Sequence, residues 1–251
     1  MISELCIFDQ VLGETLRPGG LEITSKAAEA AGIHQDQLVL DSGCGKGITA
    51  VYLAEKYHCR VTGIDLSEKM ISSCRRKITE VNLADRVSYL VADGELLPFC
   101  DSSFEAIISE CALSLFPNKE KAAQEMWRVL QPGGRLAITD IILRGKVSKK
   151  LQSQIVFPCC LTHAWHFKDY LRLFEQVGFR IDRVEDFPNE LLEVGFQIIS
   201  NWEPDYNLLS RLPSGPCRVK SPQLSGASKE SIWRFLKYSN PGYALMVMTK
   251  I

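Results

Sequence analysis

The chain has 251 residues, of which 46% are hydrophobic and 24% charged, and its formal net charge is −1. This length is enough for one substantial core, so we expect a single α/β domain over residues 1–251. The near-neutral charge argues against a nucleic-acid partner, because binding a phosphate backbone requires a cationic surface. No run approaches the roughly 20 apolar residues that cross a bilayer, so no membrane association is expected.

The first residues and the cysteines indicate the compartment. Residues 1–12 lack a basic stretch followed by an apolar one, which argues against a secretory signal and predicts a cytoplasmic protein. The nine cysteines show no framework of short, regular loops. We therefore expect thiols rather than disulfides.

Short apolar strands alternate with helices in the first half of the chain. Strands are predicted over 37–41, 60–65, 87–93, 104–110 and 135–143. Helices are predicted over 25–33, 48–57, 68–83 and 119–130, and Ser67 is a good N-cap for the third helix. This rhythm predicts a parallel, doubly wound sheet with right-handed crossovers.

The second half of the chain alternates less regularly. Helices are predicted over 148–156, 168–179, 189–201 and 229–239, and strands over 180–187 and 243–250. Residues 188–241 contain several prolines, glycines and serines between the last two strands. We expect this insertion to form a lid, so that 146–180 and 188–241 are the substrate-side elaborations of the domain.

The stretch LVLDSGCGKGITA (38–50) passes from a strand through Gly43, Gly45 and Gly47 toward a helix. Glycines in this setting let the backbone approach a nucleotide closely. A dinucleotide fingerprint has its third glycine at the sixth position, where this chain has Ile48. A Walker A loop ends in Gly-Lys-Ser/Thr, which this stretch does not contain. Neither phosphate-binding pattern therefore fits.

Acidic residues end the next two predicted strands. Asp65 stands eighteen residues after Gly47, where a carboxylate can accept hydrogen bonds from ribose hydroxyls. Asp93 ends the third strand and precedes Gly94, where a carboxylate can meet the amine of an adenine. A QPGG turn then precedes the fifth strand. A nicotinamide-dependent oxidoreductase remains the alternative for such an adenosine-binding arrangement.

With Asp41 before the glycines, residues 36–145 resemble class I S-adenosylmethionine-dependent methyltransferases, in particular the small-molecule branch (methyltransferase type 11, arsenite-methyltransferase-like). The resemblance implies a Rossmann-like, seven-stranded sheet whose last strand is antiparallel. It implies S-adenosylmethionine as the cofactor, a small-molecule acceptor, a cofactor-binding core over 36–145 and an N-terminal cap over 1–35. The residues that the resemblance assigns to the cofactor are Arg17, Gly19, Gly20, Asp41, Gly43, Gly45, Gly47, Asp65, Leu66, Met70, Asp93, Gly94 and Glu110.

The segment FPCCLTHAWHFKDYLRLFEQVGF (157–179) is similar to a part of arsenite methyltransferases where a cysteine precedes a helix ending in Gly-Phe. In that family, thiolates bind trivalent arsenic before its methylation. Cys159 or Cys160 matches such a thiol, and Cys217 is a candidate second soft ligand. The Tyr-Gly-Cys-Gly segment of the family is replaced here by LRPGGLEIT, which has no cysteine.

The predicted catalytic residues are Cys159, Cys160 and His163, and no metal site is predicted. Cys111 follows the fourth strand and is expected to face the cofactor cleft. Packing is the alternative for each of these cysteines, and a structural role is the alternative for the histidine. A non-catalytic or regulatory S-adenosylmethionine-binding protein, or an RNA or protein methyltransferase, remains an alternative for the whole chain.

Overall fold

A computed structural model describes residues 17–148, 159–191 and 229–251. Its strands are β1 (Leu38–Ser42), β2 (Arg60–Asp65), β3 (Val87–Val91), β4 (Phe104–Glu110), β5 (Leu130–Leu143), β6 (Phe179–Asp186) and β7 (Pro241–Lys250). Its helices are α1 (Gly20–Ala30), α2 (Ile48–Tyr57), α3 (Glu68–Glu80), α4 (Lys119–Val129), α5 (Cys159–His163), α6 (Phe167–Val177) and α7 (Lys229–Ser239), and Leu113–Leu115 form a 3₁₀ turn.

The strands form a seven-stranded sheet in the order β3-β2-β1-β4-β5-β7-β6. Strands β1 to β5 pair in parallel, whereas β7 runs antiparallel between β5 and β6. This confirms the doubly wound α/β sheet with an antiparallel last strand. The strand order reverses between β1 and β4, and open α/β sheets bind ligands at such a switch point, beyond the carboxyl ends of the strands.

Buried apolar side chains cover both faces of the central strands. Four of the five β1 residues are buried, and β4 is buried along most of its length. One hydrophobic cluster packs α1, α2 and α3 against one face, and a second packs α4 and α6 against the other. The rigid centre of the sheet thus fixes where the ends of β1 and β4 lie.

Local signals account for most element boundaries. Both β2 and β4 have their predicted bounds, and the Ser67 hydroxyl caps α3 by accepting a hydrogen bond from the Met70 amide at 3.3 Å. Nearly all of the predicted helix 148–156 and most of 189–201 lie outside the described residues. The same holds for most of the predicted lid, and the domain boundaries stay predictions.

Two elements begin about five residues earlier than predicted, and one helix was not predicted. Helix α1 begins at Gly20 rather than at residue 25, because Ile23 and Thr24 extend upstream the buried stripe formed with Ala27 and Ala28. Strand β5 begins at Leu130 and continues through the predicted QPGG turn, with a register shift opposite β4. A short helix, α5, lies in a stretch for which no element was predicted.

The structure contains no helix, within the residues that it describes, that is long and apolar enough to cross a bilayer. Strand β7 is the most continuously buried strand, and its apolar side chains lie in the interior of the domain.

Candidate active site

Alternating glycines form the loop between β1 and α2, called here the glycine loop (residues 43–47). Gly43, Gly45 and Gly47 have φ values of 78°, 50° and 73°, in the left-handed region that favours glycine. A Cβ atom on Gly43 would lie 2.4 Å from the Cβ of Ala112. The loop therefore requires glycine for both backbone conformation and space.

Asp65 joins the glycine loop to the start of α3. Its Oδ2 accepts a hydrogen bond from the Gly45 amide at 3.1 Å, and its Oδ1 accepts one from the Ser67 amide at 2.8 Å. Leu66 beside it is 59% exposed, and Met70 is half-buried on the first turn of α3. The carboxylate predicted for the ribose is thus held in place by backbone donors.

A buried polar cluster lies at the carboxyl end of β4. The Glu110 carboxylate accepts hydrogen bonds from the hydroxyls of Thr49, at 2.6 Å, and Thr24, at 3.1 Å. The Arg17 guanidinium pairs with the same carboxylate at 3.2 Å. Arg17 lies just before α1, with Gly19 and Gly20 beginning the helix, so the structure brings the predicted cap residues to Glu110.

Asp41, at the end of β1, is buried beside this cluster. Burial, and then the nearby Glu110 carboxylate, raise the pKa of Asp41 to about 8, although Arg17 partly opposes the shift. Its Oδ2 atom has no hydrogen-bond partner in the described part of the chain. A buried acceptor without a donor favours a ligand that brings a positive charge or an N–H group. The α-ammonium group of S-adenosylmethionine supplies both, so these residues fit the cofactor.

The region predicted to bind adenine is more open. Asp93 is exposed, and its Oδ1 accepts a hydrogen bond from the Glu95 amide at 2.8 Å. Gly94 is buried against the Phe116 ring, where a Cβ atom would lie 2.5 Å from a ring carbon. The predicted adenine residues therefore border a close contact between the β3–β4 loop and the residues after β4.

The residues beyond β4 and β5 lie at the edge of the sheet where the acceptor is predicted to bind. Cys111 follows Glu110 with a φ of 52°, which is rare for a residue other than glycine. Its thiol donates a hydrogen bond to the Tyr243 hydroxyl at 3.6 Å, and that hydroxyl donates to Thr139 Oγ1 at 2.9 Å. Burial and the nearby Asp140 carboxylate raise the pKa of Cys111, so its thiol stays protonated.

Asp140 is fully buried and accepts a hydrogen bond from the Ser114 amide at 2.7 Å. Burial raises its pKa to about 6. The carboxylate thereby holds the 3₁₀ turn that follows Cys111. No sequence pattern singled out Asp140.

The three predicted catalytic residues lie on α5, which packs against the 3₁₀ turn and β5. Cys160 is half-buried, and the side chain of Cys159 lies outside the described residues. His163 is largely exposed; partial desolvation and the nearby Lys119 ammonium lower its pKa. Cys217, the candidate second ligand, also lies outside the described residues.

Burial is the first cause of the raised pKa of Tyr170, on α6, and the second is Asp140. The thiols of Cys160 and Cys111 both add to this shift. Cys160, on α5, and Cys111, after β4, both pack against the same hydrophobic cluster. In the described ranges, no group of three or more His, Cys, Asp or Glu residues could hold a metal ion.

Sequence reasoning missed the two threonines of the polar cluster. Thr24 and Thr49 are buried hydroxyls on otherwise apolar helix faces, and their partner Glu110 is 86 and 61 residues away. A buried threonine within an apolar helical stripe was the one available signal, because a buried hydroxyl requires a partner.

The strand order, the glycine loop and the acidic residues at the strand ends together define a class I methyltransferase fold. The family described as "Methyltransferase domain" matches residues 40–138. This chain belongs to the S-adenosylmethionine-dependent methyltransferases of small-molecule type, and S-adenosylmethionine is the cofactor.

Three curated relatives illustrate the range of the family. An uncharacterized protein of Haemophilus influenzae is 33% identical, with 72% of each chain covered. Methyltransferase GfsG of Streptomyces halstedii is 32% identical over 72% of this chain and 66% of its own length. An arsenite methyltransferase of Halobacterium salinarum is 29% identical over 74% of this chain and 47% of its own length, so this chain spans about half of that relative.

Solved structures agree on the fold. A putative sarcosine dimethylglycine methyltransferase from Galdieria sulphuraria has a TM-score of 0.72 at 20% identity, covering 96% of this chain and 90% of that one. The [4+2]-cyclase SpnF has a TM-score of 0.71 at 22% identity, covering 91% of this chain and 80% of that one. The fold thus occurs in proteins described by different reactions.

Proposed function

We propose that this protein transfers a methyl group from S-adenosylmethionine to a small-molecule acceptor, and that the acceptor is trivalent arsenic or a thiol. The observation that carries the proposal is that Cys111 and Cys160 both pack against one hydrophobic cluster, with α5 packed on the turn that follows Cys111. Soft ligands such as thiols suit soft acceptors. The likeness to the Halobacterium arsenite methyltransferase supports the same choice.

The cofactor supplies an electrophilic methyl group on a sulfonium, and the residues of this chain hold it. We assign the amino-acid end to the glycine loop, Asp41 and the Glu110–Arg17 pair. We assign the ribose to Asp65 and the adenine to Asp93. Such positioning can supply most of the rate enhancement, because methyl transfer needs the acceptor lone pair aligned with the methyl group.

Neutral thiols suit arsenite. Each thiol that condenses with As(OH)₃ forms one As–S bond and releases one water molecule, so two thiols leave a neutral bound species. Burial and Asp140 keep Cys111 protonated, and a reaction that creates no charge is favoured in such a place. The arsenic lone pair would then form the As–C bond while the methyl–sulfur bond of the sulfonium breaks, which leaves neutral S-adenosylhomocysteine and moves the positive charge to the methylated arsenic. A reducing compartment keeps such thiols reduced, which agrees with the predicted cytoplasmic location.

The other candidates stay predictions. Cys159 precedes Cys160 on α5 and is the alternative thiol, and His163 is an alternative base for an acceptor that must lose a proton. Hydroxyl and amine acceptors are the alternative chemistry, since the relatives include O-methyltransferases and phosphoethanolamine N-methyltransferases. A regulatory cofactor-binding protein would bind S-adenosylmethionine and methylate none of these acceptors.

The test is transfer of a labelled methyl group to a panel containing arsenite with and without glutathione, simple thiols, quinols and amines. Cys111→Ser and Cys160→Ser are the test variants, and Cys100→Ser is the matched control because Cys100 is exposed outside the site. We expect label on arsenite or a thiol, lost in both test variants and kept in the control. Label on an amine or quinol, unchanged in the variants, would show that both cysteines only pack and do not bind the acceptor.

A further inference from the structure

The glycine loop is held from the interior of the protein by two side chains. The Tyr89 hydroxyl, on β3, donates a hydrogen bond to the Gly47 carbonyl at 2.8 Å. The Cys74 thiol, on α3, donates one to the Gly45 carbonyl at 3.3 Å. Both side chains are at most 5% exposed. Alternate carbonyls of the loop are therefore anchored away from the side that the cofactor needs.

Tyr89 reaches the loop by crossing a neighbouring strand at a glycine. Gly63, on β2, stands opposite Tyr89 in the sheet register. A Cβ atom on Gly63 would lie 2.6 Å from Tyr89 Cδ1 and 3.1 Å from the Cys44 Cβ. The φ of Gly63 is not in the left-handed region, so this position requires glycine for space alone. The ring fills that space and places its hydroxyl under the loop.

The anchor controls a peptide plane at the start of α2. The Gly47 carbonyl also accepts the Val51 amide at 3.2 Å, which is the first hydrogen bond of the helix. The Gly47 carbonyl and the Ile48 amide belong to one planar, trans peptide, in which they point in opposite directions. Fixing the carbonyl therefore also fixes the direction of the Ile48 N–H bond. A Cβ atom on Gly47 would lie 2.4 Å from the Tyr89 hydroxyl, so there is little room for the loop to move toward Tyr89.

We propose that Tyr89 is a positioning residue for S-adenosylmethionine. Its hydroxyl keeps the glycine loop in the conformation that receives the amino-acid end of the cofactor, and it acts from behind the loop. The inference rests on the proposed role of the glycine loop. It assigns a function to a residue that no motif includes, and it makes Cys74 the second anchor of the same loop.

The test compares two ligands that share the adenosine part. S-adenosylhomocysteine carries the amino-acid end, whereas 5′-methylthioadenosine lacks it. We expect Tyr89→Phe to raise the Kd of S-adenosylhomocysteine roughly three- to tenfold, as for one lost hydrogen bond, and to leave the Kd of 5′-methylthioadenosine within about twofold. Cys74→Ala should give the same pattern with a smaller change. Tyr57→Phe, which removes a hydroxyl that contacts Ser25 on α1 rather than the glycine loop, is the control and should change neither.

Calorimetric titration measures both Kd values, and thermal unfolding checks that each variant is folded. Equal weakening of the two ligands in Tyr89→Phe would show general destabilisation and overturn the proposal. No weakening of either ligand would also overturn it. If Tyr89→Phe does not fold, the ligand contrast in Cys74→Ala decides in the same way. Failure of the unsubstituted protein to bind S-adenosylhomocysteine would instead overturn the cofactor site, and the inference with it.

Discussion

We expect the substitution Asp41→Asn to destabilise the folded protein at low pH and to stabilise it at neutral pH. The pKa of this carboxyl is about 8 in the folded protein, against 3.8 for its usual value. The folded state therefore keeps a proton that the unfolded chain releases, so the stability contributed by Asp41 falls as the pH rises from about 4 to 8. At about 1.36 kcal/mol per pKa unit, the loss at pH 7 is on the order of 4 kcal/mol.

Asparagine removes this dependence but adds a cost. Its Nδ2 would replace the Oδ2 atom that has no hydrogen-bond partner in the described part of the chain, and an unpaired buried donor costs about 1–3 kcal/mol. We therefore expect Asp41→Asn to be less stable than the parent at pH 4.5. At pH 7 to 8 it should be more stable, by roughly 1–3 kcal/mol.

The assay is urea unfolding of both proteins, without cofactor, at several pH values between 4.5 and 8. The difference in the free energy of unfolding between variant and parent isolates the contribution of Asp41, because the other titrating groups are the same in both proteins. A difference that stays constant with pH would refute the raised pKa. Binding gives an independent check: the cationic cofactor should release a proton from Asp41, seen as a calorimetric heat that depends on the ionisation enthalpy of the buffer. Asp41→Asn should abolish that dependence and weaken cofactor binding.

Two further predictions separate cofactor binding from stability. The Arg128 guanidinium donates hydrogen bonds to the Leu97 and Phe99 carbonyls of the β3–β4 loop. Arg128→Lys loses this paired donor geometry, so it should weaken the binding of 5′-methylthioadenosine and of S-adenosylhomocysteine equally, by about 1–3 kcal/mol in calorimetric titration. Weakening confined to S-adenosylhomocysteine would contradict this account. The Lys250 ammonium donates to the Leu130 carbonyl at 2.6 Å and lies 4.0 Å from the Trp127 ring centroid. Lys250→Met should lower the free energy of unfolding by about 1–3 kcal/mol with cofactor Kd unchanged, and unaltered urea unfolding would show that these contacts add nothing.

The strands of the sheet could be predicted because the signals that define them come from residues adjacent in the sequence. The apolar runs over β2 and β4 and the cap at Ser67 are visible within a few positions of the chain. The start of α1 was missed because Gly19 and Gly20 favour a loop by propensity, whereas packing of Ile23 in the core decides the outcome.

The parts of the site that depend on distant contacts could not be predicted. Cys111 and Tyr243 meet across 132 residues, and nothing near either residue indicates the other. The raised pKa of Asp41 likewise requires the burial that the assembled sheet provides. The glycines and the acids at the strand ends could be found because they follow the strand order, while the groups that tune them could not.

Strand order also differs from the order of synthesis. A ribosome makes β6 before β7, yet in the finished sheet β6 lies at the edge, paired with β7. During synthesis, β6 therefore has no partner strand until residues 187–240 and then β7 have been made. Its unpaired edge can pair with another chain in that time. The hydroxyl that meets Cys111 arrives on the same late strand. Completion of the sheet and formation of the Cys111–Tyr243 contact are thus one event, and a ribosome that stalls before Tyr243 leaves both incomplete.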